Sequence, residues 1–158
     1  MGLAQVRGLK PLSERVKLVH GPVPSYFLAM VLRLMREDHT REVYAAVVWD
    51  PSPVSSTGSG GQYALRQPRQ EGTAAHVRYD VLPNTVLDFH SHGLMPAQFS
   101  HVDDMDDQGF RISVVIGKLQ ERQAEMAMRV GVYGYHAQVR YPEVFSGPVP
   151  ADLDVAVR

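Results

Sequence analysis

His90-Ser91-His92 and Ser100-x-x-Asp103 are the places in this 158-residue chain where residue type and spacing together could do chemistry. The two histidines close the run TVLDFHSH, residues 85 to 92, which reads as a strand turning polar at its C-terminal end. Side chains at i and i+2 of a strand share a face, so both imidazoles project together. Their backbones, roughly 6.5 to 7 Å apart, let the rings converge on one ion at Zn–N distances of about 2.0 to 2.1 Å. A third ligand must come from another element. Ser100 and Asp103 fall at the start of a short helix predicted over 100 to 109 and share its face, so the Asp103 carboxylate could close the site. Two His and one carboxylate leave the fourth position to water, the arrangement of catalytic rather than structural zinc. A water held that way has its pKa lowered to about 7 and is a nucleophile at neutral pH.

Each piece also has a plainer reading. His-x-His occurs often without a metal. Ser100-x-x-Asp103 is also a capping box, with the acid at the N3 position. The two readings are compatible, since a helix start can hold the same hydroxyl and carboxylate that it is capped by. Asp104, Asp106 and Asp107 read as solvated charges near a helix N-terminus. His101 reads as a polar helix-start residue that could face a pocket. His76 and His136 lie in strand patterns and read as surface or satisfied core positions, while His20 and His39 border turns.

These residues need a scaffold, and the apolar pattern supplies one. From Ser25, Tyr26, Met30 and Leu34 recur beside Phe27, Val31 and Met35, with Arg33, Arg36 and Glu37 on the other side; the spacing predicts an amphipathic helix ending near Asp38-His39. VYAAVVW at 43 to 49 is a short β-branched and aromatic run, hence a buried strand ending at a core Trp49. Shorter strands are predicted at 62 to 66 and 76 to 81. FRISVVIG, EMAMRVGVYGY and HAQVRY follow as further strands, with Met126 and Met128 as packing residues. PSPVSSTGSGGQ reads as a loop inserted in the domain, and the stretch from 143 as an irregular tail. The organisation expected is an N-terminal segment 1–24 packed on a domain 25–142, followed by the tail 143–158. The fold class expected is α+β: a mixed, largely antiparallel sheet flanked by one long helix and one or two short ones.

Bulk properties narrow the chemistry further. The hydrophobic fraction of 44% and charged fraction of 21% are those of a globular domain. A formal net charge of -1 gives no electrostatic case for nucleic acid or a membrane surface as partner. With no cysteine, disulfides, thiolate metal sites and Cys nucleophiles are excluded, so any metal site must use His and carboxylate. The N-terminal stretch is too polar for a signal peptide and no apolar run approaches a membrane span, so the expected location is the cytoplasm. Oligomeric state is not legible.

The joint spacing, His-Ser-His, seven residues, Ser, two residues, Asp, resembles the signature of the JAMM metallopeptidases, also called JAB or MPN-plus. Five positions at fixed offsets carry the likeness: His90, Ser91, His92, Ser100 and Asp103. The resemblance implies a cytidine-deaminase-like α/β/α fold and Zn2+ on His90, His92 and Asp103. It implies Glu42, just before VYAAVVW, as general base, and Ser100 as a stabiliser of the oxyanion. It further implies hydrolysis of an amide or isopeptide bond, with a ubiquitin-like or sulfur-carrier-like protein as substrate. The sequence departs from the family at Gly93 and Phe99, where many members have Pro, and at Ala45, where Gly is common. DFHSHGLMPAQFSHVDDMDDQGFRI with the later RVGVYGY is similar to a bacterial subgroup, protein A of the PRTRC cassettes, which implies a ThiF-like activating enzyme as a possible partner.

Two other function classes stand beside this one. A binding or scaffold module of the same fold is one, although relatives of that kind lose their ligands and this chain retains them. A PHP-like phosphoesterase also opens on a motif like DFHSH, but needs a barrel of about 200 residues or more. Here 66 residues follow His92, with only His101 and His136 among them.

Overall fold

The amphipathic stretch after Ser25 forms helix α1 (Tyr26–Glu37), preceded by the short strand β1 (Val23–Pro24). Its buried stripe is Phe27, Leu28, Val31, Leu32 and Met35, while Tyr26 and Met30 are exposed. The expected stripe had included those two. Both sets satisfy the 3.6-residue period, and the sheet beneath decides which faces inward. The computed structural model describes residues 15–52, 60–100, 103 and 109–155. Most of the expected Ser/Gly loop and most of the helix expected over 100–109 therefore lie outside the described residues, although Asp103 itself is helical.

The remaining elements are β2 (Tyr44–Asp50), β3 (Gln62–Arg66), β4 (Gln70–Gly72), β5 (Val77–Tyr79), β6 (Thr85–Ser91), β7 (Phe110–Gly117), β8 (Ala124–Val132), β9 (Tyr135–Gln138), α2 (Tyr141–Val144), β10 (Phe145–Ser146) and β11 (Leu153–Val155). One sheet runs β11-β8-β7-β6-β2-β3, with β9 also on β8. The fold is mixed α+β with a mostly antiparallel sheet; β6–β7 and β11–β8 are its parallel pairs. The crossover between β6 and β7 carries Ser100 and Asp103.

Alternation sorts each strand into two faces. Ala45, Val47, Leu87, Phe89, Ile112, Val114, Ile116, Met126 and Met128 join α1 in the main core. A fully buried side chain of this size contributes about 1.5 to 3 kcal/mol. The other face carries Tyr44, Ala46 and Val48, covered by Val77 and Tyr79 of the separate β4–β5 hairpin. Tyr79 stacks on Tyr44 with ring centroids 3.6 Å apart. The Gln70 side chain fastens the hairpin, accepting from the Tyr44 N–H at 2.8 Å and donating to its carbonyl at 2.9 Å. Three-residue β4 has no period to read, and the sequence analysis missed it.

Two expectations are corrected. The stretch from 143 is not an irregular tail: β10 pairs with β1, β11 extends the main sheet, and Val144, Phe145, Leu153 and Val155 are buried. Arg36 of α1 holds the same segment, lying 3.7 Å from Asp152. Trp49 is half-buried rather than core, stacked on His20 at 3.6 Å. Among the described residues no helix is long and apolar enough to cross a membrane.

Candidate metal centre

His90 lies within β6 and His92 just past its end, on the sheet face opposite α1. Ser91 points the other way and is wholly buried. The two imidazole centroids are 5.1 Å apart. Asp103 approaches from the crossover: its Oδ1 is 3.1 Å from His90 Nε2 and its Oδ2 3.9 Å from His92 Nε2. One donor atom from each residue lies within 4.8 Å of the other two, so the group could hold a metal ion.

Ser100 and Asp103 also form the expected capping box. The Ser100 N–H donates to Asp103 Oδ2 at 2.5 Å and its hydroxyl to the same oxygen at 2.7 Å, while the Asp103 N–H donates to Ser100 Oγ at 3.3 Å. Cap and ligand readings therefore hold together. The box occupies Oδ2 and leaves Oδ1 toward His90.

The donors fit a divalent cation. His90 Nε2 is buried and makes no hydrogen bond, although the Asp103 carboxylate is only 3.1 Å away, so its alignment toward that oxygen is poor. Around tetrahedral zinc, ligand atoms sit about 3.3 Å apart, a spacing the 3.1 Å pair already has and the 3.9 Å pair reaches by a shift of several tenths of an ångström. His92 Nδ1 lies 3.3 Å from the Pro96 carbonyl, a contact that places a proton on Nδ1 and leaves Nε2 as the donor pair. Burial, with His90 beside it, lowers the His92 pKa and favours the neutral ring that ligation requires. Burial acts to raise the Asp103 carboxyl, but the contacts with His90 and Ser100 outweigh it and hold the group well below the usual carboxylate range.

Glu42 is buried next to this cluster. Tyr44 pairs with His90, so the antiparallel register carries the segment before β2 toward His92. Ser91 fixes that segment: its hydroxyl accepts from the Val43 N–H at 2.8 Å, and its N–H donates to the Val43 carbonyl at 2.9 Å. On the other side the Glu42 N–H donates to the Thr73 carbonyl at 2.7 Å. Gly72 is required there, because a Cβ would overlap the Glu42 carbonyl oxygen. Burial raises the Glu42 pKa; His90 opposes this and Asp103 adds to it. Glu42, His90, His92, Ser100 and Asp103 line one cleft of about 310 Å³.

A family model for prokaryotic homologs of the JAB domain matches residues 24–131. The chain belongs to the Prok-JAB family. No curated protein matches it. Membership makes the protein a metal-dependent hydrolase or a module of the same fold, with a His-His-Asp group that could bind a metal.

Within this JAB domain the departure at Gly93 has a physical reason. Its φ is +54°, and a Cβ there would overlap the His39 carbonyl. Proline, fixed near -65°, cannot make that turn. Gly117 plays a comparable role, since a Cβ would overlap the backbone of Met95, Pro96 and Ala97. That close approach keeps the Pro96 carbonyl against His92. Sequence reasoning missed this glycine, and nothing in a single sequence marks it.

The cleft also gathers His76, which patterning had assigned to surface or satisfied core, and four residues to which the sequence pattern assigned no role. His76 of the hairpin segment lines it and acts electrostatically on Glu42. Asp88, Arg111, Ser113 and Arg129 form its far wall. Asp88, Ser113 and Arg129 are polar residues that the fold nonetheless buries. His101, Asp104, Asp106 and Asp107 lie outside the described residues.

Proposed function

We propose that this Prok-JAB protein is a zinc-dependent metallopeptidase that hydrolyses an amide or isopeptide bond. The observation that carries the reading is the placement of buried Glu42 in the same cleft as the three prospective ligands. Zinc held by His90, His92 and Asp103 would supply Lewis-acid activation of a water and of the scissile carbonyl. Glu42 takes the proton of the attacking water and delivers it to the leaving amine. Burial raises its pKa, which makes the carboxylate a stronger base toward that proton.

Ser100 has one hydroxyl proton, donated to Asp103. Turning that proton toward the substrate lets Ser100 stabilise the developing oxyanion. The Ser100 backbone N–H still holds Asp103 when the hydroxyl turns.

The substrate we favour is the extended C-terminal tail of a ubiquitin-like or sulfur-carrier-like protein, presented with a ThiF-like activating enzyme. A cleft of about 310 Å³ suits a strand-like tail and is too small for a folded partner. The test is zinc content of the purified protein, followed by cleavage of such conjugates by wild type and Glu42→Gln. Zinc bound at one equivalent with cleavage lost in Glu42→Gln is the expected result. Zinc binding without any cleavage that depends on Glu42 would instead identify an inert JAB module. A Glu42→Ala pull-down that traps a ubiquitin-like protein would identify the substrate.

A further inference from the structure

The far wall of the cleft has a chemistry that metal ligation and proton transfer do not use. Strand register sets Asp88 beside Ser113 and Ser113 beside Arg129, in one row across β6, β7 and β8. All three are buried, at 4%, 6% and 7% exposure. Arg111, two residues before Ser113 on the same face, pairs with Asp88 through Nε at 3.2 Å. The Arg129 guanidinium lies over the Phe99 ring, 4.1 Å from its centroid, and Phe99 is the residue before Ser100. All of these line the cleft that holds His90, His92 and Asp103.

We propose that this wall is a carboxylate-recognising subsite, in which the Arg129 guanidinium, stacked on Phe99, binds an acidic group of the substrate near the scissile bond. This specificity rests on the hydrolase reading above. Stacking uses the face of a guanidinium and leaves its N–H edge in the plane, the edge that matches a carboxylate two bonds at a time. A fork of five donors can keep a protein contact and still engage a ligand. Arg111 and Asp88 brace the row by holding β6 to β7. The distance is also suitable. Arg129 lies two strand spacings across and two residues along from His90, about 12 Å between backbones, which the two side chains and one or two substrate residues span.

The acidic group could be the free C-terminal carboxylate of the substrate or an Asp/Glu side chain, and two matched probe pairs separate these sources. Acetyl-Gly-Gly is compared with its C-terminal amide, and acetyl-Asp-amide with acetyl-Asn-amide. Binding to the zinc-loaded full chain is read by calorimetry, alongside zinc stoichiometry. The carboxylate member of one pair should bind at least about tenfold more tightly than its neutral twin, and the pair that discriminates names the source. Arg129→Gln should abolish that preference with zinc stoichiometry unchanged. Arg129→Lys, which keeps the charge and loses the fork, should reduce it about threefold or more, and serves if the glutamine variant does not fold.

Equal binding within both pairs, or a preference that persists in Arg129→Gln or is undiminished in Arg129→Lys, overturns the proposal; persistence would mean the carboxylate is bound by zinc. Absence of hydrolysis with a preference dependent on Arg129 would count against the peptidase reading and leave the subsite standing.

Discussion

The Ser91 hydroxyl accepts a hydrogen bond from the Val43 amide at 2.8 Å, so the residue between the two imidazoles holds the backbone next to Glu42. Ligands and base are thereby linked through one buried serine rather than through the metal.

Replacing that serine tests the link. Ser91→Ala leaves the Val43 N–H buried without its acceptor, which costs about 1 to 3 kcal/mol. Urea denaturation should show a loss of that size. Because the backbone beside Glu42 loosens while His90 on β6 and His92 just past its end stay in place, cleavage should fall well below wild type with zinc still bound. A variant as stable as wild type would show that Ser91 does not carry this segment.

Removing a ligand has the opposite signature. His90→Ala or Asp103→Ala should bring zinc from one equivalent to near zero by mass spectrometry of the native protein, with the metal-induced rise in melting temperature abolished. Asp103→Ala also removes the N3 carboxylate of the capping box and its bonds to Ser100, so it changes local stability as well as ligation. His90→Ala is therefore the cleaner measure of ligation, and full zinc retention there would refute the assignment.

His92 should cost the metal-free protein stability as pH falls. The folded pKa of His92 is lowered, by burial first, below the 6.5 of a free imidazole. Below about pH 6.5 the unfolded chain then binds the proton more readily, so unfolding gains. Asp103, also lowered, acts in the same direction only below about pH 4. Glu42, whose pKa burial raises, works in the opposite direction, so the His92 contribution is read by difference: between pH 7.5 and 5.5 wild type should lose more stability, or gain less, than His92→Gln, and an equal change in both would contradict it.

Gly117→Ala tests the loop beneath His92. A methyl group there meets backbone rather than yielding side chains, so the Met95–Ala97 turn must move. Overpacking of this kind costs about 1 to 3 kcal/mol. Losing the Pro96 contact with His92 should weaken zinc binding about 10- to 100-fold. Competition with a chelator of known affinity measures this, and unchanged affinity would remove Pro96 from the account.

Periodicity and fixed offsets were enough to determine the helix after Ser25, the strands of the main sheet other than β11, and the group His90, His92 and Asp103. A strand must present residues i and i+2 on one face, and a helix start must bring Ser100 and Asp103 together. What these local rules leave open, tertiary packing decides. It selected Leu28 and Leu32 over Tyr26 and Met30 for the core, because several stripes on one helix satisfy the same period. It drew residues 145–155 into the structure, where Phe145 and Val155 gain burial that their short segments could not signal. It set Glu42, Gly117 and Arg129 around the imidazoles. Those contacts join residues far apart in the chain, and their meeting depends on strand order and register, which no local pattern encodes.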